Sequence, residues 1–302
     1  MHSISYNNRA EDVKVGVFDS GYGGLTILSE IRRLMPEYDY LYLGDNARAP
    51  YGTHSFDVIY RYTLQAVEYL FAHDCTLVIL ACNTASAKAL RTIQQVDLVE
   101  RKKTALLKEK STKPVNVLGV IRPTVEAVPA LTKTGHVGIL ATPATVSSQS
   151  YVLELQKIQS DHLQCTKELV VTQQACPMWV PLIEAGEHRH DGADYFVDLY
   201  LRQILDKDPQ IDTLVLGCTH YPLLLSKIRQ WTMDHGQKTQ IISQGALVAN
   251  SLKDYLRRHP EYREQLSQGG TCTYLTTENA DRFSQSASIF LSSPVSATHV
   301  DL

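Results

Sequence analysis

Thr76-Leu77-Val78-Ile79-Leu80-Ala81-Cys82-Asn83-Thr84-Ala85-Ser86 reads as a buried strand running straight into a helix. Leu77 to Leu80 are apolar and branched, as suits a strand covered on both faces. Residues 85–96 are rich in helix formers, and Asn83 or Thr84 is a natural cap. Cys82 therefore falls where the strand ends and the helix begins, the place where open α/β sheets bind small ligands. The partial positive charge of a helix N-terminus favours a thiolate there, so a lowered thiol pKa is expected.

A second stretch has the same construction. Thr213-Leu-Val-Leu-Gly-Cys218-Thr219-His220-Tyr221-Pro222 is again a hydrophobic strand that ends in a cysteine. Pro222 suits a first helical position, with Leu223 to Trp231 continuing as helix. Two cysteines thus occupy equivalent places, each followed by small polar groups able to donate hydrogen bonds.

A chain of 302 residues can bury an ample core and suggests about two domains. With 44% hydrophobic and 20% charged residues it has the composition of a soluble globular protein. The net charge of −3 gives no sign of a nucleic-acid partner. Met1 to Ala10 lack the apolar centre of a signal peptide, and no run is long and apolar enough for a spanning helix, so no membrane role is expected. The cysteines at 75, 82, 165, 176, 218 and 272 form neither a dense disulfide framework nor a CxxC metal motif. The thiols are read as reduced and the protein as cytoplasmic.

Along the chain, residues 1–12 are polar and expected to be loose. Val13–Phe18 reads as a first strand, followed by the turn Asp19-Ser20-Gly21-Tyr22-Gly23-Gly24 and a helix from about Leu25 to Met35. That order gathers backbone N–H groups at a helix start, which suits an anion. It matches neither the dinucleotide fingerprint nor the P-loop. A strand at 40–43, a polar turn over 44–52 and a helix over 55–72 lead back to the Cys82 strand. The charged stretch 97–113 reads as an exposed helical extension and a linker. A new strand follows over 115–120. His136–Leu140 then restarts the pattern, with Ala141 to Thr145 in place of the glycine turn, and helices near 147–159 and 193–206 flank the second cysteine's strand. A strand at 240–243 leads into Gln244-Gly245. The fold class expected is α/β, with two similar α/β domains, mainly parallel sheets and an active site in the cleft between them. Residues 1–113 form the first domain, completed by 226–302, and 114–225 form the second.

A lone buried cysteine is by default a small hydrophobe, which is the reading for Cys75, Cys165, Cys176 and Cys272. His188 and His190, in a charged loop, read as solvated rather than as metal ligands. Paired thiols with no disulfide or metal motif suit proton transfer or nucleophilic attack, and proton transfer can be followed at a carbon beside a carboxylate. One thiolate takes the α-proton from one face and the opposite thiol returns a proton to the other, so configuration inverts. A free thiol titrates at about 8.5, within reach of neutral pH. The carbanion-like transition state requires preorganised donors, which two helix N-termini can supply.

The segments Val17–Thr26, Pro50-Tyr51-Gly52, Ala81–Ser86 and Leu216–Pro222 together resemble the glutamate racemases, over roughly residues 13–290. The resemblance implies a cofactor-independent isomerase that interconverts L- and D-glutamate and supplies D-glutamate for peptidoglycan. It implies no pyridoxal phosphate, metal or nucleotide. Cys82 and Cys218 would be the two proton carriers, with Asp19 near the first thiol, His220 near the second, and Glu184 a carboxylate close to the second. Asp19, Ser20, Tyr51, Gly52, Asn83, Thr84, Thr219 and His220 would hold the substrate. Other readings are a helix cap for Asp19, a core histidine for His220 and a surface residue for Glu184. Ser243-Gln244-Gly245 stands where the family usually carries an aspartate–serine pair. An aspartate racemase and an amino-acid-binding protein without chemistry are the rival functions. Oligomeric state, a homodimer included, is left open, as are activation by a peptidoglycan precursor and inhibition of DNA gyrase.

Overall fold

The computed structural model describes residues 12–107, 113–160, 168–291 and 293–302. Among the described residues ten strands form two sheets in which every pairing is parallel. In chain order they are β1 Lys14–Asp19, β2 Tyr40–Gly44, β3 Cys75–Leu80, β4 Asn116–Gly119, β5 His136–Ala141, β6 Val170–Ala175, β7 Thr213–Gly217, β8 Gln240–Ile242, β9 Cys272–Thr276 and β10 Ala297–His299. The first sheet has the order β10-β9-β2-β1-β3-β4 and the second β6-β5-β7-β8. The run β2-β1-β3-β4 repeats as β6-β5-β7-β8, so the two units share one strand order. The central strands β3 and β7 are buried along their whole length, as their continuous apolar sequences require.

Strand order reverses direction at β1 in the first sheet and at β5 in the second. The C-terminal ends beside β1 and β5 are therefore switch points, where side chains from two neighbouring strand ends can meet a ligand. Asp19 ends β1 and Cys82 follows β3 in the first sheet. Cys218 follows β7 in the second.

Two strands lie in different sheets from those expected. β4, assigned from the sequence to the second unit, pairs with β3 in the first sheet. β8, assigned to the part that completes the first, pairs with β7 in the second. The reason is where the chain crosses. After β4, the helix Ile121–Leu131 buries Ile121, Val125 and Val128 with Val137 and Ile139 of β5. After β8, the helix Gly245–Arg258 buries Val248, Ala249, Leu252 and Leu256 with Leu25, Leu28 and Ile31 of the helix Gly24–Leu34. Each crossing follows a strand instead of preceding it, and a hydrophobic run cannot announce that. β9 and β10 lie beyond β2 in the first sheet.

Helical backbone runs over residues 85–96 as expected, with a break at Ala89: Asn83–Lys88 is followed by Leu90–Thr92 and by a π-helical stretch, Ile93–Asp97, which leads straight into Leu98–Leu107 and the start of the charged stretch. The rest of that stretch, like the N-terminal segment and Cys165, lies wholly or largely outside the described residues. Cys75 and Cys176 are buried in apolar clusters, and Cys272 packs half-buried against another. Among the described residues no helix is long and apolar enough to cross a membrane.

Leu28 is fully buried between the first sheet and the Gly245–Arg258 helix. Leu28→Ala should cost about 2–5 kcal/mol, read as an earlier urea unfolding transition.

Candidate active site

Cys82 itself caps the helix Asn83–Lys88, where Asn83 or Thr84 was expected to do so. Its sulfur accepts the Ala85 N–H at 3.4 Å. The Ser20 hydroxyl lies 3.1 Å from the same sulfur. The expected lowering of this thiol's pKa does not occur. Burial pushes Cys82 up to about 12, and the Asp19 charge adds to that, against the Ser20 hydroxyl and the Ala85 amide. The helix N-terminus acts in the expected direction, but desolvation of the anion outweighs it. Cys82 is therefore a thiol at neutral pH.

Asp19 is buried at the end of β1 and accepts the Gly21 N–H at 3.0 Å. The Gly24 N–H, at the first position of the following helix, also acts on this carboxylate, as the helix-cap reading of Asp19 expects. Burial raises its pKa above the ordinary 3.8, opposed by the charge of His220 and by the Gly24 and Gly21 amides.

Cys218 has a different partner. Its sulfur lies 3.8 Å from His220 Nδ1, and His220 Nε2 lies 2.9 Å from Glu184 Oε1. Glu184 ends the short helix Trp179–Glu184, so the carboxylate reaches the histidine from a different element. Burial disfavours charge on His220, but the contacts to Cys218 and Glu184 outweigh it and hold the imidazolium up to about 10. The Phe290 ring covers His220 edge-on at 5.3 Å between centroids and stacks on Tyr22. Nothing in the sequence linked a residue near the C-terminus to this site.

The two halves meet at the glycine turn. A side-chain carbon built on Gly23 would overlap His220 Nδ1 and Thr219 Oγ1. Gly23 is therefore needed for the close approach of the second unit. Thr26 Oγ1 donates to the Thr219 carbonyl at 2.9 Å across the same junction. Thr84 bonds with Thr142 at 3.1 Å, and Thr142 also faces Gly52.

The structure gathers Asp19, Ser20, Cys82, Glu184, Cys218, Thr219 and His220 into one region. Two expected ligand holders direct their side chains elsewhere. The Tyr51 hydroxyl donates to the buried carboxylate of Asp45, which also binds Arg48 Nε at 2.7 Å and Thr277 Oγ1 at 2.9 Å. The Asn83 carboxamide donates to Gln244 Oε1 at 2.6 Å and accepts from the Tyr151 hydroxyl at 2.7 Å. His188 is buried rather than solvated, and burial lowers its pKa. Among the described residues no three His, Cys, Asp or Glu side chains cluster as metal ligands do.

The Asp/Glu/hydantoin racemase profile matches residues 26–252. A glutamate racemase of Ruegeria sp. (strain TM1040) is 39% identical over 92% of this chain and 96% of its own. The structure of a Bacillus anthracis glutamate racemase superposes with a TM-score of 0.78 at 31% identity, over 97% of this chain and 98% of that one. The Francisella tularensis glutamate racemase, solved in complex with D-glutamate, gives 0.77 at 28% identity, over 97% of both chains.

A raised His220 pKa means that folding takes up a proton. Its contribution to stability is complete below the unfolded pKa of 6.5 and is lost as pH rises through about 10. The deficit of His220→Asn in thermal unfolding should therefore be largest at or below pH 6.5 and shrink towards pH 10.

Proposed function

The chain belongs to the Asp/Glu/hydantoin racemase family, and on that premise we propose that it interconverts L- and D-glutamate by proton transfer between Cys82, Cys218 and the α-carbon. The observation that carries this reading is the pairing of two sulfurs at equivalent strand ends, each with its own proton partner. A binding protein would have no use for that arrangement.

In one direction, the Cys218 thiolate takes the α-proton while the Cys82 thiol gives its proton to the opposite face. Cys82 stands protonated for that task, as its raised pKa requires. The Ser20 hydroxyl and the Ala85 N–H then hold the thiolate left at Cys82. In the other direction Cys82 must first lose its proton. Asp19, buried and raised in pKa, is the carboxylate whose charge acts on that sulfur and the acceptor for the proton. Charged His220, oriented by Glu184, gives its Nδ1 proton to the Cys218 thiolate, and the neutral imidazole so formed takes the proton back in the reverse step.

The substrate's carboxylates would be held by Ser20, Thr84, Thr219, the backbone around Tyr51-Gly52 and the first turn after Cys82, where N–H groups and the helix dipole favour an anion. Asn83 would contribute through that turn's backbone, because its carboxamide is engaged with Gln244 and Tyr151. The product D-glutamate would serve peptidoglycan synthesis in the cytoplasm.

The test follows circular dichroism of L-glutamate in deuterated water. Signal should vanish as deuterium enters the α-carbon. Cys82→Ser and Cys218→Ser should each lower the rate by about 10²–10⁴-fold without loss of fold, the usual worth of a positioned acid or base. Full activity in either variant refutes the two-thiol mechanism. Faster turnover of aspartate than of glutamate refutes the substrate.

A further inference from the structure

The two places where the chain passes between sheets meet at one side chain. Gln244 is separated from β8 by Ser243 alone, stands at the start of the Gly245–Arg258 helix and is 1% exposed. Its Nε2 donates to the Tyr151 hydroxyl at 2.9 Å. That hydroxyl donates to Asn83 Oδ1 at 2.7 Å, and Asn83 Nδ2 donates back to Gln244 Oε1 at 2.6 Å. Three donors and three acceptors close a ring. The second Nε2 hydrogen goes to Thr124 Oγ1 at 2.9 Å, whose hydroxyl donates to the Val120 carbonyl at 2.7 Å. Val120 follows β4, so the other crossing belongs to the same network.

Asn83 is the first residue of the helix that Cys82 caps. Its orientation sets the turn that brings the Ala85 N–H to the Cys82 sulfur. The Ser86 hydroxyl ties that helix to the Leu80 carbonyl at 2.9 Å, and the Val120 N–H lies 3.4 Å from the same hydroxyl. Tyr151 belongs to the helix Ser150–Ser160, packed with β5 and β7 of the unit that carries Cys218. One carboxamide thus joins the Cys82 turn, both crossings and the second unit.

We propose that Gln244 is a positioning residue for the reaction, holding the Cys82 turn at a fixed place relative to the Cys218 unit through its ring of hydrogen bonds with Asn83 and Tyr151. The position needs both a donor and an acceptor. An ionised carboxylate would accept only, and an apolar group would leave Asn83 and Tyr151 buried without their partners. The Ser243-Gln244-Gly245 departure noted in the sequence therefore has a specific place in the fold.

The inference rests on the two-thiol reading, and its test separates the two. Full-length Gln244→Met and Tyr151→Phe are assayed with L- and D-glutamate. Alkylation of Cys82 and Cys218 by iodoacetamide is followed by peptide mass spectrometry. Misplacement of one thiol should lower kcat about 10- to 100-fold in both directions with KM little changed. The alkylation rate of Cys82 should change while that of Cys218 stays at the wild-type value. Wild-type kcat in both variants, or equal changes at the two thiols, overturns the proposal. Tyr151→Phe removes a single oxygen and decides the matter if Gln244→Met does not fold. A wild-type enzyme inactive on glutamate would refute the proposed function, and the alkylation comparison would still decide the positioning.

Discussion

The contact between the Gly23 turn and the Thr219-His220 turn is the constraint on which the site depends. Asp19 and Cys82 belong to one sheet and Cys218 and His220 to the other. Their cooperation requires backbone-to-side-chain approach closer than any side chain at position 23 would allow. Around that approach the fold places secondary ties, from Thr26 to the Thr219 carbonyl and from Thr84 to Thr142. Phe290 and Tyr22 close the apolar side over His220. Asp19 and His220 are buried there, which strengthens the interaction between their charges.

The parts of this arrangement that were legible in the sequence are those with local signatures. Apolar runs ending in Cys82 and Cys218 identified two parallel-sheet units and their strand ends, because a strand buried on both faces leaves a continuous hydrophobic stretch. The polar residues next to those cysteines were recognisable for the same reason. What was not legible depends on partners distant in the chain. Whether β4 closes the first sheet or opens the second is decided by the helix that follows it, whose apolar face fits β5. Tyr51 and Asn83 look like ligand donors in sequence, but buried acceptors at Asp45 and Gln244 hold their side chains. Phe290 has no motif at all, and the balance between a helix dipole and burial at Cys82 requires knowing how deep the sulfur lies.

That balance also explains why two thiols need unlike neighbours. Both sulfurs are nearly buried, and a buried anion is costly unless something nearby compensates it. Two thiolates held together in one closed site would repel each other, and two thiols would provide no base. A racemising pair must therefore hold one proton between two sulfurs, and the site must make it cheap to move that proton's place. Under the proposed mechanism the two sulfurs do this with opposite partners. Cys218 has the imidazolium of His220, anchored by Glu184, as its compensating cation. Cys82 has the carboxylate of Asp19, which opposes a thiolate, and hydrogen-bond donors that support one. Burial holds a proton on Cys82, and under the proposed mechanism the direction that starts from a Cys82 thiolate must first move it. In that mechanism the Asp19 carboxylate, its pKa raised by burial, takes that proton and becomes neutral. The unlike neighbours are thus what would let one site run the proposed reaction from either face.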